Sequence, residues 1–186
     1  MRRSPMDFPP DTLERARRVK LLLFDVDGVL TDGRLLIDGE GRESKQYHIR
    51  DGAGLVWARQ AGLLTGFLSA RVSASTTARA KQLGISIVRQ GAEDKLQAFR
   101  DILLEHRLSE AETAYMGDDV LDLPVLETAG LAAAPADAAP EVLQRAHWVS
   151  DRRGGDGAAR DLIERVLRAQ GAWDDLVARY TGARAR

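Results

Sequence analysis

The strongest constraint on this chain is an alternation. Short apolar runs of strand length recur between longer segments with helical spacing. The runs lie at 19–24, 63–68, 85–88 and 113–116, with weaker ones at 130–133 and 147–149. Helical patterns between and after them cover 52–61, 73–83, 94–106, 121–129, 139–145 and 157–169. Strands alternating with helices of this length predict βαβ units and a parallel sheet. The runs are nearly continuous in apolar residues, as strands covered on both faces must be. The predicted class is α/β, a Rossmann-like doubly wound parallel sheet. One segment, 33–51, breaks the rhythm: Arg34-Leu35-Leu36-Ile37, then Asp38-Gly39-Glu40-Gly41, then a second extended stretch. An Asp-Gly turn between extended stretches predicts a β-hairpin, a flap that leaves the sheet just after strand one.

Composition bounds the rest. At 186 residues the chain has room for one domain and a modest extension. The expected organisation is a flexible N-terminal extension with a short helix (1–18), a catalytic-sized domain (19–170, with the hairpin at 33–51) and a C-terminal tail (171–186). Arg15, Arg17 and Arg18 are expected on a solvated helix face. The tail carries Trp173 and Tyr180, which are expected to contact a neighbouring subunit. The absence of cysteine excludes disulfides, thiolate metal sites and a cysteine nucleophile. A net charge of -1 gives no global attraction to nucleic acid or an anionic membrane. No run approaches the ~18 apolar residues of a membrane span. Arg2-Arg3 is followed by no apolar stretch that would make it an export signal, so a cytoplasmic location is expected.

The polar residues fall where such a sheet binds ligands. Asp25 and Asp27 follow the first run, Ser69 the second, and Asp118 and Asp119 the fourth. In an open parallel sheet these carboxyl ends share one edge, and ligands sit in the crevice there. Asp25 and Asp27 alternate with Val26, so extended backbone sends both to one side. Asp119 and Asp122, spaced i and i+3 at a helix start, are neighbours. Carboxylates gathered in one crevice repel, and a hard divalent cation relieves this; oxygen-only ligands favour Mg2+ over zinc. Lys95, at the first turn of a predicted helix, adds positive charge. Metal, lysine, hydroxyl and helix N-termini together suit a phosphoryl group. With no cysteine and no histidine near these strand ends, an aspartate is the natural nucleophile.

These motifs carry a resemblance. Asp25-Val26-Asp27-Gly28-Val29-Leu30-Thr31-Asp32-Gly33 resembles the first motif of the haloacid dehalogenase superfamily. Ser69 matches its second motif, Lys95 its third, and Gly117-Asp118-Asp119-Val120-Leu121-Asp122 its acidic fourth. The hairpin, His48-Ile49-Arg50-Asp51-Gly52, Ser69-Ala70-Arg71 and Gly154-Gly155-Asp156-Gly157 narrow it to the family of 3-deoxy-D-manno-octulosonate 8-phosphate phosphatases. The resemblance implies a Mg2+-dependent phosphatase working through an aspartyl-phosphate, in lipopolysaccharide precursor synthesis. It implies Asp25 as nucleophile and metal ligand, and Asp27 as acid/base that also binds metal through its backbone carbonyl. Asp118 is then the third metal ligand, and Ser69 and Lys95 hold the phosphoryl oxygens. Asp119 and Asp122 orient these groups. Arg71 and Arg79, near one face of a predicted helix, and the segment His48, Ile49, Arg50, Asp51 and Gly52 are the implied contacts to a phosphorylated sugar acid, together with Asp27 and Lys95. Ala70 departs from the usual Ser/Thr-Gly-Arg, which implies strain if that position needs positive φ. Neither gap between motifs has room for a cap domain, so an open site closed by neighbours in a homotetramer is implied, with hairpin and tail at the interfaces. Two other readings are a phosphatase of a nine-carbon keto-sugar 9-phosphate, disfavoured by Arg71, and a receiver-type phospho-accepting module.

Overall fold

A computed structural model describes residues 8–181. The N-terminal residues expected to be flexible therefore lie largely outside the described range, as do 182–186 of the tail. In chain order the elements are α1 (Pro10–Arg18), β1 (Leu21–Phe24), β2 (Leu36–Ile37), β3 (Glu43–Ser44), α2 (Ile49–Gln60), β4 (Leu64–Leu68), α3 (Ala74–Leu83) and β5 (Ile87–Arg89). They continue as α4 (Lys95–His106), β6 (Thr113–Met116), α5 (Leu123–Thr128), β7 (Leu131–Ala134), α6 (Pro140–Leu143), β8 (Trp148–Val149), α7 (Ala158–Ala169) and α8 (Trp173–Thr181).

The main sheet has six strands in the order β5-β4-β1-β6-β7-β8, every pair parallel. Both faces are covered, and the period-two geometry of strands divides the core between them. In β1, Leu22 and Phe24 face one layer with Ala16 of α1, Leu55 of α2 and Leu162, Ile163 and Val166 of α7. Leu21 and Leu23 face the other, with Phe99 and Ile102 of α4 and Leu126 of α5. All four β1 side chains are fully buried, each worth about 1.5–3 kcal/mol relative to exposure. The hairpin is real but short: β2 and β3 pair antiparallel through Leu36 with Ser44 and Ile37 with Glu43. No described helix is long and apolar enough to cross a membrane.

The structure adds the tail's packing within its own chain and corrects two expectations. The tail, as far as residue 181, packs on its own domain. Trp173 and Leu176 of α8 are buried, and Trp173 meets Trp57 of α2 edge-on with ring centroids 5.8 Å apart. Trp57 Nε1 also donates to the Tyr180 hydroxyl at 2.8 Å. Trp173 is buried between α2 and α7, with the Arg160 guanidinium over both it and Trp57 and that of Arg168 over Trp173, while Tyr180 stays largely exposed. Arg15 is not simply solvated, since its guanidinium donates to the Gly130 carbonyl at 2.7 Å. Finally, α2 starts at Ile49, so the segment His48–Gly52 is a helix N-terminus rather than the foot of a hairpin strand.

Candidate active site

Strand register assembles the site. Phe24 on β1 pairs with Phe67 on β4 and with Met116 on β6. Asp25, Ser69 and Asp118 therefore emerge just past the paired ends of three adjacent strands, on one sheet edge. Lys95 reaches the same place from the first residue of α4, whose N-cap Asp94 accepts from the Gln97 N–H at 2.9 Å.

A buried polar cluster results. Lys95 Nζ donates to Asp25 Oδ1 at 2.8 Å and to Asp122 Oδ1 at 2.6 Å. Asp122 Oδ1 also accepts from the Tyr115 hydroxyl at 2.5 Å, and its Oδ2 accepts from the Asp118 and Asp119 N–H groups at 3.0 and 3.2 Å. Asp122 thus bonds both Lys95 and the Asp118 turn. Asp119 does less: it is exposed, and its side chain caps the following turn through the Val120 N–H at 2.8 Å. Two glycines make room. Gly28 has φ +94° and a Cβ there would lie 2.0 Å from Asp118 Oδ2. At Gly117 a Cβ would lie 2.4 Å from that of Asp122.

The electrostatics fit a cation. Burial pushes the Asp118 carboxyl up to about 8, and the charges of Asp25 and Asp122 add to it against Lys95. Burial likewise raises Asp25 to about 7, with Lys95 opposing and Asp122 adding. Burial acts to lower Lys95, but Asp25 and Asp122 outweigh it and hold the ammonium above its ordinary value. One lysine does not neutralise this set. Carboxylate oxygens of Asp25, Asp118 and Asp122 all lie within 4.8 Å of one another. Asp122 spends both its oxygens on hydrogen bonds, whereas Asp118 Oδ1 is buried with no hydrogen-bond partner. Asp25 and Asp118 are the oxygen donors free to hold a hard divalent ion.

Asp27 lies beside this cluster under the hairpin. Lys45 Nζ contacts Asp27 Oδ1 at 2.5 Å, and Arg71 Nε lies 3.6 Å from Asp27 Oδ2. Arg71 also grips Glu43 of β3, which in turn lies 3.5 Å from Lys45. Lys45, Glu43 and Tyr115 escaped the sequence reading. Tyr115 looks like ordinary strand core. Glu43 and Lys45 do share one strand face by their i, i+2 spacing, but nothing local says that the face turns toward Asp27. Ser69 is buried, and its Oγ accepts only from the Arg71 N–H at 3.2 Å, leaving its O–H to donate outward.

The remaining substrate candidates separate. Arg71 precedes α3, which starts at Ala74, so Arg71 and Arg79 do not share a helix face. Arg79 instead packs over Tyr47, bonds Gln82 and lies 3.5 Å from the His48 carbonyl. Asp51 is 2% exposed and accepts from the Arg160 N–H at 2.8 Å, tying α2 to the start of α7. Gly52 is buried against Arg79, while Ile49 and Arg50 are exposed and His48 half-buried. Ala70 carries no strain, because Arg107 is the only non-glycine residue with positive φ among those described.

Comparison with known proteins agrees with this geometry. The family model for haloacid dehalogenase-like hydrolases matches residues 64–162. The chain belongs to the haloacid dehalogenase-like hydrolases. It is 38% identical over 165 residues to 3-deoxy-D-manno-octulosonate 8-phosphate phosphatase of Escherichia coli K12, covering 89% of this chain and 88% of that one. Among solved structures, a hypothetical protein of Xanthomonas campestris superposes with a TM-score of 0.92 at 44% identity, covering 97% of this chain and all of that one. The 3-deoxy-D-manno-octulosonate 8-phosphate phosphatase of Moraxella catarrhalis, solved with magnesium, phosphate and the sugar acid, superposes with a TM-score of 0.90 at 33% identity. It is covered over 98% of its length, and this chain over 91%. Membership of this hydrolase family sets aside the receiver-type alternative.

Proposed function

We propose that this chain hydrolyses 3-deoxy-D-manno-octulosonate 8-phosphate to the free sugar acid and phosphate. The observation that carries the reading is the buried Asp25–Lys95–Asp122–Asp118 cluster beside Asp27 and Arg71, in a chain so similar to phosphatases of that name. Asp25 attacks phosphorus and the bond to the sugar oxygen breaks, leaving an aspartyl-phosphate and the sugar acid. Asp27 gives its proton to the departing sugar oxygen. It then takes a proton from the water that attacks the aspartyl-phosphate, which releases phosphate and restores Asp25. Lys95 and Ser69 hold the phosphoryl oxygens. Mg2+, when held by Asp25, Asp118 and the Asp27 backbone carbonyl, supplies positive charge against the phosphoryl group and permits Asp25 to approach it ionised.

Arg71 is the contact for the substrate carboxylate, because its planar fork matches two carboxylate oxygens and half of its side chain is open to solvent. The exposed apolar residues Leu36, Ile37 and Ile49 on and beside the hairpin support a homotetramer, in which a neighbour covers them. A cytoplasmic location fits a phosphorylated precursor as substrate.

The test is phosphate release with Mg2+ from the eight-carbon sugar-acid phosphate and from a nine-carbon keto-sugar 9-phosphate, side by side. The expected result is a higher kcat/KM on the eight-carbon substrate and none in Asp25→Asn. A preference for the nine-carbon substrate would overturn the assignment, and full activity in Asp25→Asn would overturn the nucleophile.

A further inference from the structure

Lys45 belongs to a two-stranded flap, yet its side chain is only 1% exposed. Strands as short as β2 and β3 do not hold a position alone, and Leu36 and Ile37 point to solvent. Within its own chain, what seats the flap on the sheet edge is charge. Glu43 and Lys45, on the same face by the alternation of extended chain, engage Arg71 and Asp27. A buried ammonium is tolerated only when it is paired, and Lys45 has two carboxylates, Asp27 at 2.5 Å and Glu43 at 3.5 Å.

The two oxygens of Asp27 are thereby made unequal. Oδ1 is committed to Lys45. Oδ2 is buried with no hydrogen-bond partner, and Arg71 Nε at 3.6 Å is too far to bond it. A carboxyl that must hand a proton to one particular oxygen gains from having its other oxygen pinned, since rotation about its side-chain bonds is then arrested.

We propose that Lys45 is a positioning residue for proton transfer: it anchors Asp27 Oδ1 so that Oδ2 alone delivers the proton to the leaving oxygen. The inference rests on the assignment of Asp27 as general acid. It gives the flap a catalytic purpose within a single chain.

The experiment compares wild type, Lys45→Met and Lys45→Arg with Mg2+ on phenyl phosphates of graded leaving-group acidity, which carry no carboxylate for Arg71 to bind. The readout is kcat/KM, which ends with departure of the leaving group. A nitrophenolate leaves without a proton, whereas a poor leaving group needs one. Lys45→Met is expected to lose about 100-fold on the poorest leaving group, the scale of a misplaced catalytic group. On the nitrophenyl ester it is expected to lose less than about 3-fold, so that the dependence on leaving-group acidity steepens. Lys45→Arg is expected to restore most of the loss, and Lys45→Met is expected to cost nothing further in an Asp27→Asn background. An equal loss on every ester, or a further loss in that background, would overturn the proposal and make Lys45 merely structural. If wild type cleaves the phenyl esters but not the sugar-acid phosphate, the substrate reading fails while the test of Lys45 stands.

Discussion

Removing metal from this enzyme should make its stability fall as pH rises from about 5 to about 8. The cause is the crowding of Asp25, Asp118 and Asp122. An Asp118 carboxyl raised from 3.8 to about 8, and Asp25 raised to about 7, hold protons that the unfolded chain has already released. Between these values the folded state binds more protons than the unfolded one, so stability is intact near pH 4 and is lost as pH climbs through the folded values. Each pH unit across that interval removes about 1.4 kcal/mol, on the order of 5 kcal/mol for Asp118 alone. Asp25 does not simply add to this, because the two carboxyls share one repulsion. If relaxation leaves half of it, the melting temperature drops by about 5–10 °C for a chain of this length. His147, whose burial lowers its proton affinity, works in the opposite direction at the acid end of the window. The clean measure is therefore the difference between wild type and Asp118→Asn. Denaturant unfolding in EDTA is expected to show Asp118→Asn more stable than wild type at pH about 8 and nearly equal at about 5. Adding Mg2+ is expected to stabilise wild type more at the higher pH, since the ion binds the ionised carboxylates. A metal-free wild type whose stability is flat or rising over this range, with Asp118→Asn never the more stable, would refute the reasoning.

Three further outcomes are expected. Lys95→Met leaves Asp25 and Asp122 buried without their counter-charge and should cost about 3–5 kcal/mol; chemical denaturation that shows under about 1 kcal/mol would count against the pairing. Gly28→Ala forces positive φ on a side chain aimed at the Asp118 carboxylate, so Mg2+ affinity by titration calorimetry should fall about 10–100-fold in a protein that still folds. Trp173→Ala should destabilise by about 3 kcal/mol, because α8 packs into the chain's own core. Truncation after Gly171 should accordingly lower the melting temperature as well as turnover, and an unchanged melting temperature would place α8 outside the core.

Local periodicity and spacing were enough to define the alternating strands and helices, the parallel sheet, the hairpin and the residues at the sheet edge. The reason is physical. Buried parallel strands demand unbroken apolar runs, and a parallel sheet must deliver its strand ends to one edge, so the sequence alone gathers Asp25, Ser69 and Asp118. The sequence also pointed to oxygen as the donor type for a metal, since no cysteine is present and no histidine lies near these strand ends. Tertiary structure alone decided which carboxylate does what. Asp122 and Asp119 look alike in the chain, yet one bonds Lys95 and Tyr115 in the interior and the other caps a turn in solvent. It also decided that Lys45 meets Asp27, that Arg71 and Arg79 part company, and that Trp173 turns inward. Such contacts join residues whose separation along the chain follows no helical or strand period. Only the packing of flap, loops and tail on the sheet sets those distances, and burial then sets their charges.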